Sequence, residues 1–296
     1  MTSTANETPP RIFFGHHKAA TSWVIKILSD LAHLNGFRIE TINTAGELNQ
    51  AILDRLASGE TQFLAFRNAD PAYLPALGSF VGFHIIRDPR DILVSSYFSH
   101  RNSHPTENWP ELAEHSARLQ RLDQTSGLVA DMEFCTELTT NGFSVRPLTC
   151  MRDWDYERKD IHELKYEEVI LDPYGSFLDI FQFLQLLSDD EIGVHTLSSH
   201  ILRILRGRAI RNKSGPPPLL PTWNILASVY DNRFARKTAG RRPGDEDPMS
   251  HYRKGVSGDW ENYFTPELTA RFNHLFGDIL SRLSYPRGRG PEVPQV

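Results

Sequence analysis

The stretch that decides the fold, Arg11–Leu34, reads RIFFGHHKAATSWVIKILSDLAHL. Its beginning, Arg11–Gly15, is a short apolar run that ends in glycine, which indicates a buried strand. From Thr21 to Leu34 the apolar residues recur at helical spacing, and Asn35-Gly36 is a suitable helix stop. The sequence therefore predicts a strand, a loop over Gly15–Ala20 and then a helix.

The same alternation continues outward from this stretch. A strongly apolar strand, Phe80–Ile86, is followed by Arg87-Asp-Pro-Arg-Asp91, where Asp88 suits a helix N-cap and Pro89 the first helical position. Further strands are expected at 37–41, 61–66, 144–149 and 161–165, further helices at 47–56 and 173–187, and a mostly helical stretch at 109–140. Strands that alternate with helices predict an α/β fold with three layers, in which helices flank a mainly parallel central sheet.

Composition narrows the class of protein. The chain has 296 residues, 40% of them hydrophobic, which suffices for one large α/β domain. The formal net charge of −5 argues against a nucleic-acid partner. Two cysteines, Cys135 and Cys150, are too few for a disulfide scaffold, so we expect thiols in a reducing cytoplasm.

The chain ends suggest where the domain lies. Met1–Pro10 is polar, with neither a basic leader nor an apolar stretch, and we expect a disordered tail rather than a signal peptide. We predict one domain over 11–285 and a loose tail over 286–296. No apolar run is long enough for a membrane span, so a cytoplasmic protein without a membrane partner is expected.

The first segment that carries chemistry is Lys18-Ala-Ala-Thr-Ser-Trp23. Its small residues let backbone N–H groups approach an anion at a helix N-terminus, and Lys18 adds a full positive charge. Thr21 and Ser22 add hydroxyl donors, so the pattern predicts a phosphate cradle. It is not a Walker A loop, because the lysine precedes the small residues. The alternative interpretation is an ordinary turn between strand and helix.

Two later segments also suggest anion binding. Arg87 ends a strand, where α/β sheets place ligands, and Ser95 lies about two helical turns further on. Together they suit one phosphate, although Arg87 would equally form an ion pair with Asp88 or Asp91. Tyr252–Trp260 reads Tyr-Arg-Lys-Gly-Val-Ser-Gly-Asp-Trp, which joins two cations to a glycine that permits close backbone approach.

In order and rough spacing, these segments resemble the PAPS-dependent sulfotransferase family, as a bacterial-like variant of the cytosolic type. The first is similar to the family's 5′-phosphosulfate loop, the second to its 3′-phosphate motif and the third to its Arg-Lys-Gly-x-x-Gly-Asp-Trp signature. Lys165–Glu168 is similar to the family's Tyr-Glu-Asp segment. The resemblance runs from about Arg11 to Tyr285 and implies a P-loop-like fold. It also implies transfer of a sulfuryl group from 3′-phosphoadenosine-5′-phosphosulfate (PAPS) to a hydroxyl or amine of a small-molecule acceptor. PAP would be released, and no metal would be required.

The resemblance implies a role for each matching residue. The 5′-phosphosulfate would be held by Lys18, Ala19, Ala20, Thr21 and Ser22. The 3′-phosphate would be held by Arg87, Ser95, Arg253, Lys254 and Gly255. Adenine would contact Trp23, Tyr166 and Phe234, although each of these aromatic residues also suits a hydrophobic core.

The catalytic residues that the resemblance implies are not all present in the sequence. Lys18 would neutralise the charge that develops on the leaving oxygen. Small-molecule members of the family use a histidine as general base, in a Thr-His-x-Pro segment, but the corresponding Phe66–Pro71 has none. Glu40 and Asp70 are therefore the first candidates for the base, and His17 and His100 are further ones. As other interpretations, Glu40 suits a surface charge at a strand edge, Asp70 an N-cap or a turn residue before Pro71, and His100 a helix surface.

Three other functions remain compatible with the sequence. A P-loop nucleotide kinase or hydrolase would need Mg²⁺ and ATP. A non-catalytic PAPS-binding protein would explain the missing histidine. An elimination enzyme would use sulfuryl transfer to create a leaving group. The family's Lys-Thr-Val-Glu dimer motif has no clear counterpart near the C-terminus, so the sequence predicts no oligomeric state.

Overall fold

A computed structural model describes residues 9–107, 109–140, 143–188 and 214–286 of the chain. These residues fall into two compact units. The sheet unit is drawn from Met1–Gly15, Ala20–Ile85 and Asp155–Arg233, and the helical unit from His16–Ala19, Ile86–Trp154 and Phe234–Val296. Apart from Pro9, Pro10 and Pro286, the predicted tails lie outside the described residues. The single domain predicted over 11–285 stays a prediction.

The sheet unit is built on five parallel strands. The described strands are β1 (Arg11–Phe14), β2 (Ile39–Ile42), β3 (Phe63–Phe66), β4 (Val81–Ile86), β5 (Thr139–Thr140), β6 (Phe143–Ser144) and β7 (Ile161–Lys165). The central sheet has the order β2-β3-β1-β4-β7 and is parallel throughout, whereas β5 and β6 form a short antiparallel pair in the helical unit. Continuous apolar runs such as Phe63–Phe66 suit strands that are buried on both faces. The predicted parallel sheet is confirmed.

Register brings aromatic side chains together at the centre of the sheet. Phe13 of β1 lies between Ala65 of β3 and Phe83 of β4. The rings of Phe13 and Phe83 stack with their centroids 4.8 Å apart, and neither side chain is exposed. This pair lies in the hydrophobic core of the sheet unit.

The helices follow the strands, as the alternation predicts. The sheet unit contains α1 (Thr21–Asn35), α2 (Gln50–Ala57), α7 (Tyr166–Leu171), α8 (Pro173–Phe183) and α9 (Thr222–Asp231). The helical unit contains α3 (Pro89–Asn102), α4 (Pro110–Leu119), α5 (Gln124–Thr136), α6 (Pro147–Asp153), α10 (Phe234–Lys237), α11 (Pro266–Phe276) and α12 (Ile279–Arg282). Short 3₁₀ helices span Ala45–Glu47, Pro71–Leu77 and Asp259–Asn262.

Helix α1 ends where the sequence predicts. Gly36 adopts a left-handed conformation, with φ of 76°, and its N–H donates to the carbonyl of Ala32. The apolar stripe of the helix, which includes Val24, Leu28 and Leu31, is completely buried. Helix and strand therefore hold the intervening loop at both of its ends.

One expected element differs in the structure. The strand predicted over 144–149 is wrong, because α6 begins at Pro147, and proline favours a first helical turn over a ladder position. The stretch 109–140, predicted to be mostly helical, contains the two helices α4 and α5. Asp123 interrupts it by accepting a hydrogen bond from the N–H of Ser126 at 3.0 Å, which is an N-cap.

The sequence also predicts free thiols and no membrane span. No disulfide joins Cys135 and Cys150, and both side chains are buried. Within the described part of the chain, no helix has both the length and the apolar character that a membrane crossing requires.

Candidate active site

The loop between β1 and α1 has a strained backbone. Lys18 and Ala20 have φ values of 63° and 60°, in a region that costs an L-residue roughly 1 kcal/mol or more. Ala20 is the N-cap of α1 and makes no side-chain capping bond. Alternating backbone conformations of this kind turn successive N–H groups toward one side, and strain of this sort concentrates at ligand sites.

Gly15 is required where the chain leaves β1. A Cβ atom at this position would lie 2.6 Å from Oγ1 of Thr21 and 2.9 Å from the carbonyl oxygen of Phe66. These clashes explain why the loop begins with glycine. Because Gly15 has no side chain, the start of α1 can lie close to the ends of β1 and β3.

Arg87 connects the loop to the third motif within the helical unit. Its Nη1 donates to the carbonyl of Lys18 at 3.2 Å, and its Nη2 donates to the carbonyl of Val256 at 3.1 Å. Asp91, one of the two partners considered from the sequence, lies 3.7 Å away, whereas Asp88 is held by Arg90 at 2.6 Å. Arg87 is therefore primarily a bridge between two backbone segments.

Cations gather around Lys18. Burial lowers the pKa of Lys18 to about 8, the charges of Arg87 and Arg253 lower it as well, and Asp131 opposes them. A lysine with a lowered pKa beside two arginines marks a place of concentrated positive charge. An anion bound there would relieve this repulsion.

Arg253 and Lys254 share a carboxylate. Arg253 pairs with Oδ2 of Asp259, and Nζ of Lys254 lies 2.5 Å from Oδ1 of the same residue. Glu246 lies 2.5 Å from Arg253 and 3.6 Å from Lys254. These acids hold both cations in defined positions.

Phe234 and Gly255 lie against one another. Gly255 has a φ of 67°, and a Cβ atom there would lie 2.9 Å from Cγ of the Phe234 ring. Two residues for which the resemblance implies contacts with adenine and with the 3′-phosphate therefore lie side by side in the helical unit.

Asp91 connects helix α3 to the turn of the third motif. Its carboxylate accepts hydrogen bonds from the N–H groups of Gly258 at 2.7 Å and Trp260 at 2.9 Å. The guanidinium of Arg90 lies 3.5 Å above the Trp260 ring. Ser95 is half-buried on the same helix.

The remaining predicted contacts of the nucleotide lie in the sheet unit. Trp23 packs edge to face on Phe177 at 5.5 Å, and Tyr166 is 9% exposed in the same core. Thr21 is buried, and Oγ of Ser22 accepts a hydrogen bond from Arg67 at 3.4 Å. Both aromatic residues thus have packing roles that are independent of any ligand.

Both first candidates for the general base have structural partners in the sheet unit. The carboxylate of Glu40 accepts bonds from Arg55 at 2.5 and 3.1 Å and from Thr61 at 3.3 Å. Asp70 accepts a bond from the N–H of Ala72 at 3.0 Å, which is the N-cap that the sequence offered as an alternative. Their catalytic roles stay predictions.

Sequence reasoning missed Arg241. Its guanidinium donates to the carbonyls of Tyr252 and Arg253, both at 2.8 Å, and to Oγ of Ser250 at 3.0 Å. It therefore holds the backbone that carries the third motif. One arginine in a polar loop has no pattern that distinguishes it, so no signal in the sequence identifies this role.

Comparisons with known proteins agree with this arrangement. Residues 83–216 match the family model described as the sulfotransferase domain. Mouse Sulfotransferase 2A6 is 22% identical over 209 residues, which is 70% of this chain and 58% of the mouse protein. Rat Sulfotransferase 2A2 is 24% identical over 211 residues, with the same shares of 70% and 58%. The chain thus spans less than two thirds of the length of the curated relatives it matches.

A solved structure shows the shared fold. Mouse sulfotransferase SULT7A1, crystallised with PAP, has a TM-score of 0.51 and 17% identity, and the match covers 93% of this chain and 84% of that one. The family match and the fold agree with the residues gathered around Lys18. The chain therefore shares its fold with a sulfotransferase, and residues 83–216 resemble the sulfotransferase domain.

Proposed function

We propose that this protein is a PAPS-dependent sulfotransferase, which transfers a sulfuryl group to a hydroxyl or amine of a small-molecule acceptor and releases PAP. The observation that carries the proposal is the concentration of Lys18, Arg87 and Arg253 in the helical unit, where each arginine lowers the pKa of the lysine. The family match favours this function over that of a nucleotide kinase.

The positive charge suits a ligand with phosphate groups at two positions. Lys18, on the strained loop, would contact the 5′-phosphosulfate together with the N–H groups of Ala19 and Ala20 and the hydroxyls of Thr21 and Ser22. The 3′-phosphate would contact Arg87, Ser95, Arg253, Lys254 and Gly255. Guanidinium groups bind phosphate oxygens through two N–H donors at once, which gives this end its specificity.

Adenine would lie against aromatic side chains. Phe234 is the strongest of the three candidates, because its ring packs on the backbone of Gly255, inside the phosphate-binding motif. Trp23 and Tyr166 would offer ring edges or faces from the core of the sheet unit. Because both side chains are packed in this core, they would move little when a nucleotide binds.

In-line transfer would use residues of the chain itself. The acceptor oxygen attacks sulfur, the bond from sulfur to the bridging oxygen breaks, and negative charge grows on the leaving 5′-phosphate. Lys18 would neutralise that charge, and nearby N–H groups would add to the stabilisation. We therefore expect transfer to proceed without a divalent metal.

Ligand-dependent thermal stability tests the proposal. A ligand that binds the folded state raises Tm, so PAP is expected to stabilise the protein while ATP and Mg-ATP have little effect. Radiolabelled PAPS with a panel of phenols, alcohols and amines would then show transfer. Lys18→Ala should abolish transfer, whereas Lys26→Ala, a matched exposed lysine on α1, should not. Stabilisation by Mg-ATP without stabilisation by PAP would reject the proposal.

A further inference from the structure

A chain of four polar side chains in the helical unit, three of them buried, has no role in the nucleotide contacts described above. It consists of His17, His100, His115 and Asp131, which come from the β1–α1 loop, α3, α4 and α5. His100 and Asp131 are each 1% exposed. Polar groups buried to this degree must have their hydrogen bonds satisfied, so their arrangement defines where the protons lie.

The distances describe one continuous chain of hydrogen bonds. Oδ1 of Asp131 lies 2.7 Å from Nδ1 of His100 and 2.9 Å from Nε2 of His115. Nε2 of His100 in turn lies 3.1 Å from Nε2 of His17. The chain therefore begins at a buried carboxylate and ends on the residue that precedes Lys18.

The charge of Asp131 fixes the first two protons. Burial would raise the pKa of this carboxyl, but His100 and His115 hold it at about 2, so it is ionised at neutral pH. An ionised carboxylate only accepts hydrogen bonds. Nδ1 of His100 and Nε2 of His115 must therefore both carry protons and donate them.

The remaining proton follows from the chemistry of imidazole. A neutral His100 that is protonated on Nδ1 has a lone pair on Nε2. Nε2 of His17 then donates to that lone pair, so a neutral His17 has its own lone pair on Nδ1. Within the described residues, that nitrogen takes part in no hydrogen bond, and the His17 side chain is partly exposed.

His17 is neutral in the ligand-free protein. Its pKa is lowered well below 6.5, first by burial, and the positive charge of Lys18 lowers it further. An anionic cosubstrate near Lys18 would oppose that charge and make His17 more basic when transfer takes place.

We propose that His17 is the general base of the transfer reaction, with His100 and Asp131 as positioning residues; this inference rests on the proposed function. The acceptor hydroxyl gives its proton to Nδ1 of His17 while its oxygen bonds to sulfur. The sulfur–oxygen bond to the 5′-phosphate breaks, and PAP leaves with the electron pair. The resulting imidazolium is stabilised through His100 by Asp131, as an oriented carboxylate stabilises a catalytic histidine.

The placement of this histidine compensates for the one missing after β3. Glu40 and Asp70 are engaged in structural bonds of the sheet unit, whereas His17 adjoins Lys18 in sequence. Base and leaving-group stabiliser would thus lie on one loop.

The same side chains also meet the geometric condition for a metal site. The ligand atoms of His100, His115 and Asp131 all lie within 4.8 Å of one another. Their separations of 2.7 and 2.9 Å are ordinary hydrogen-bond distances, and a structural zinc site needs four protein ligands. We therefore favour the proton chain, and metal binding is an outcome that the experiment separates.

The first experiment reads the proton positions directly. Long-range ¹⁵N–¹H NMR of the histidine rings distinguishes Nδ1–H from Nε2–H tautomers in the full-length protein with PAP bound. We expect His100 as Nδ1–H, and His17 and His115 as Nε2–H. A stoichiometric metal in elemental analysis, or His17 protonated on Nδ1 alone, would overturn the proposal without affecting the PAP complex.

The second experiment reads the reaction. His17→Gln keeps a donor toward His100 but removes the basic nitrogen, and His274→Gln is the matched control, because His274 is exposed in the same unit. With 1-naphthol as acceptor, kcat of His17→Gln should fall about 10²–10⁴-fold. With 4-nitrophenol, which ionises without help, the loss should be much smaller, and PAP affinity should be retained.

The outcomes separate this inference from the proposed function. Absence of PAP binding in the wild-type protein would reject the function itself. PAP binding with equal losses for both phenols would reject only the base. Should His17→Gln fail to fold, or should the wild-type protein use neither phenol, the tautomer pattern of the wild-type protein decides.

Discussion

The ring of Phe234 occupies the space into which a side chain on residue 255 would project. A Cβ atom there would lie 2.9 Å from Cγ of the ring, and the φ of 67° disfavours any L-residue. Gly255→Ala should therefore displace the ring or the backbone that carries Arg253 and Lys254. We expect PAP affinity to fall at least about tenfold, since the combined strain is on the order of 1–2 kcal/mol.

Calorimetric titration of PAP into Gly255→Ala would measure this loss. The matched control is Gly78→Ala, because Gly78 has a φ of 65° but a Cβ atom there would meet no atom within 4 Å. Unchanged affinity in Gly255→Ala would show that the contact with Phe234 does not shape the binding site.

Much of this arrangement was accessible from the sequence because it depends on local patterns. Arg87 follows an apolar strand, and parallel strands end at one edge of the sheet, so a ligand-binding position could be inferred. The glycine of the Arg-Lys-Gly segment likewise indicated close backbone approach. Such features need only the residue types within a few positions.

Other features depend on residues that are distant in sequence. The hydrogen bonds of Arg241 form only once the chain between 241 and 254 folds back on itself. Asp131 joins His100 and His115 from a different helix, and no spacing rule connects the three. Strand and helix were also confused near Pro147, because a short apolar run suits both.

The lowered pKa of Lys18 predicts how pH affects PAP binding. Bound phosphate would raise this pKa from about 8, so the complex takes up a proton when pH lies above that value. PAP affinity should therefore be greatest below pH 8 and fall as pH rises, by up to tenfold per pH unit. Calorimetry at pH 8.5 in buffers of different ionisation enthalpy would measure the proton uptake, and Lys18→Met should remove it.

The lowered pKa of Lys18 also predicts how pH affects the stability of the ligand-free protein. Rising pH should increase this stability, whereas it should decrease PAP affinity. Between about 8 and the ordinary lysine value of 10.5, the unfolded chain holds the proton more tightly than the folded one. Stability of the ligand-free protein should therefore rise with pH across that window. At neutral pH, Lys18→Met should stabilise the ligand-free protein by on the order of 2 kcal/mol, measured by urea unfolding. A destabilised variant would show that Lys18 makes a net favourable contribution to the fold.

Asp91 should be important for both stability and binding. Its carboxylate is 1% exposed, and it accepts the N–H groups of Gly258 and Trp260. In Asp91→Asn the amide NH₂ group would face one of these two backbone N–H groups, which is also a donor. That N–H would lose its acceptor, so we expect the free energy of unfolding to fall by about 2–4 kcal/mol. Denaturant unfolding would measure it, with Asp278→Asn as a control whose side chain makes no capping bond. A change below about 0.5 kcal/mol would contradict the role.

Even the conservative replacement of Arg241 by lysine should weaken PAP binding. The planar guanidinium of Arg241 reaches the carbonyls of Tyr252 and Arg253 and the hydroxyl of Ser250 at the same time, and a lysine has a single point of charge. Arg241→Lys is therefore expected to weaken PAP binding almost as much as Arg241→Ala, by roughly tenfold or more, because it loses about two hydrogen bonds. The neighbouring Arg242→Lys, at an exposed site, is the control. Full affinity in Arg241→Lys would mean that charge alone holds the loop.

Glu40→Gln separates the two roles considered for this carboxylate. The pair of Glu40 with Arg55 is partly exposed, with side-chain exposures of 23% and 35%, so its loss should lower Tm by no more than about 3 °C. PAP binding should be unchanged, because Arg55 and Thr61 remain to position the amide. If His17 is the base, Glu40→Gln should also retain transfer activity with 1-naphthol. A loss of kcat by about 10²-fold or more, with unchanged PAP affinity and Tm, would instead restore Glu40 as the base, since that combination cannot arise from a damaged ion pair.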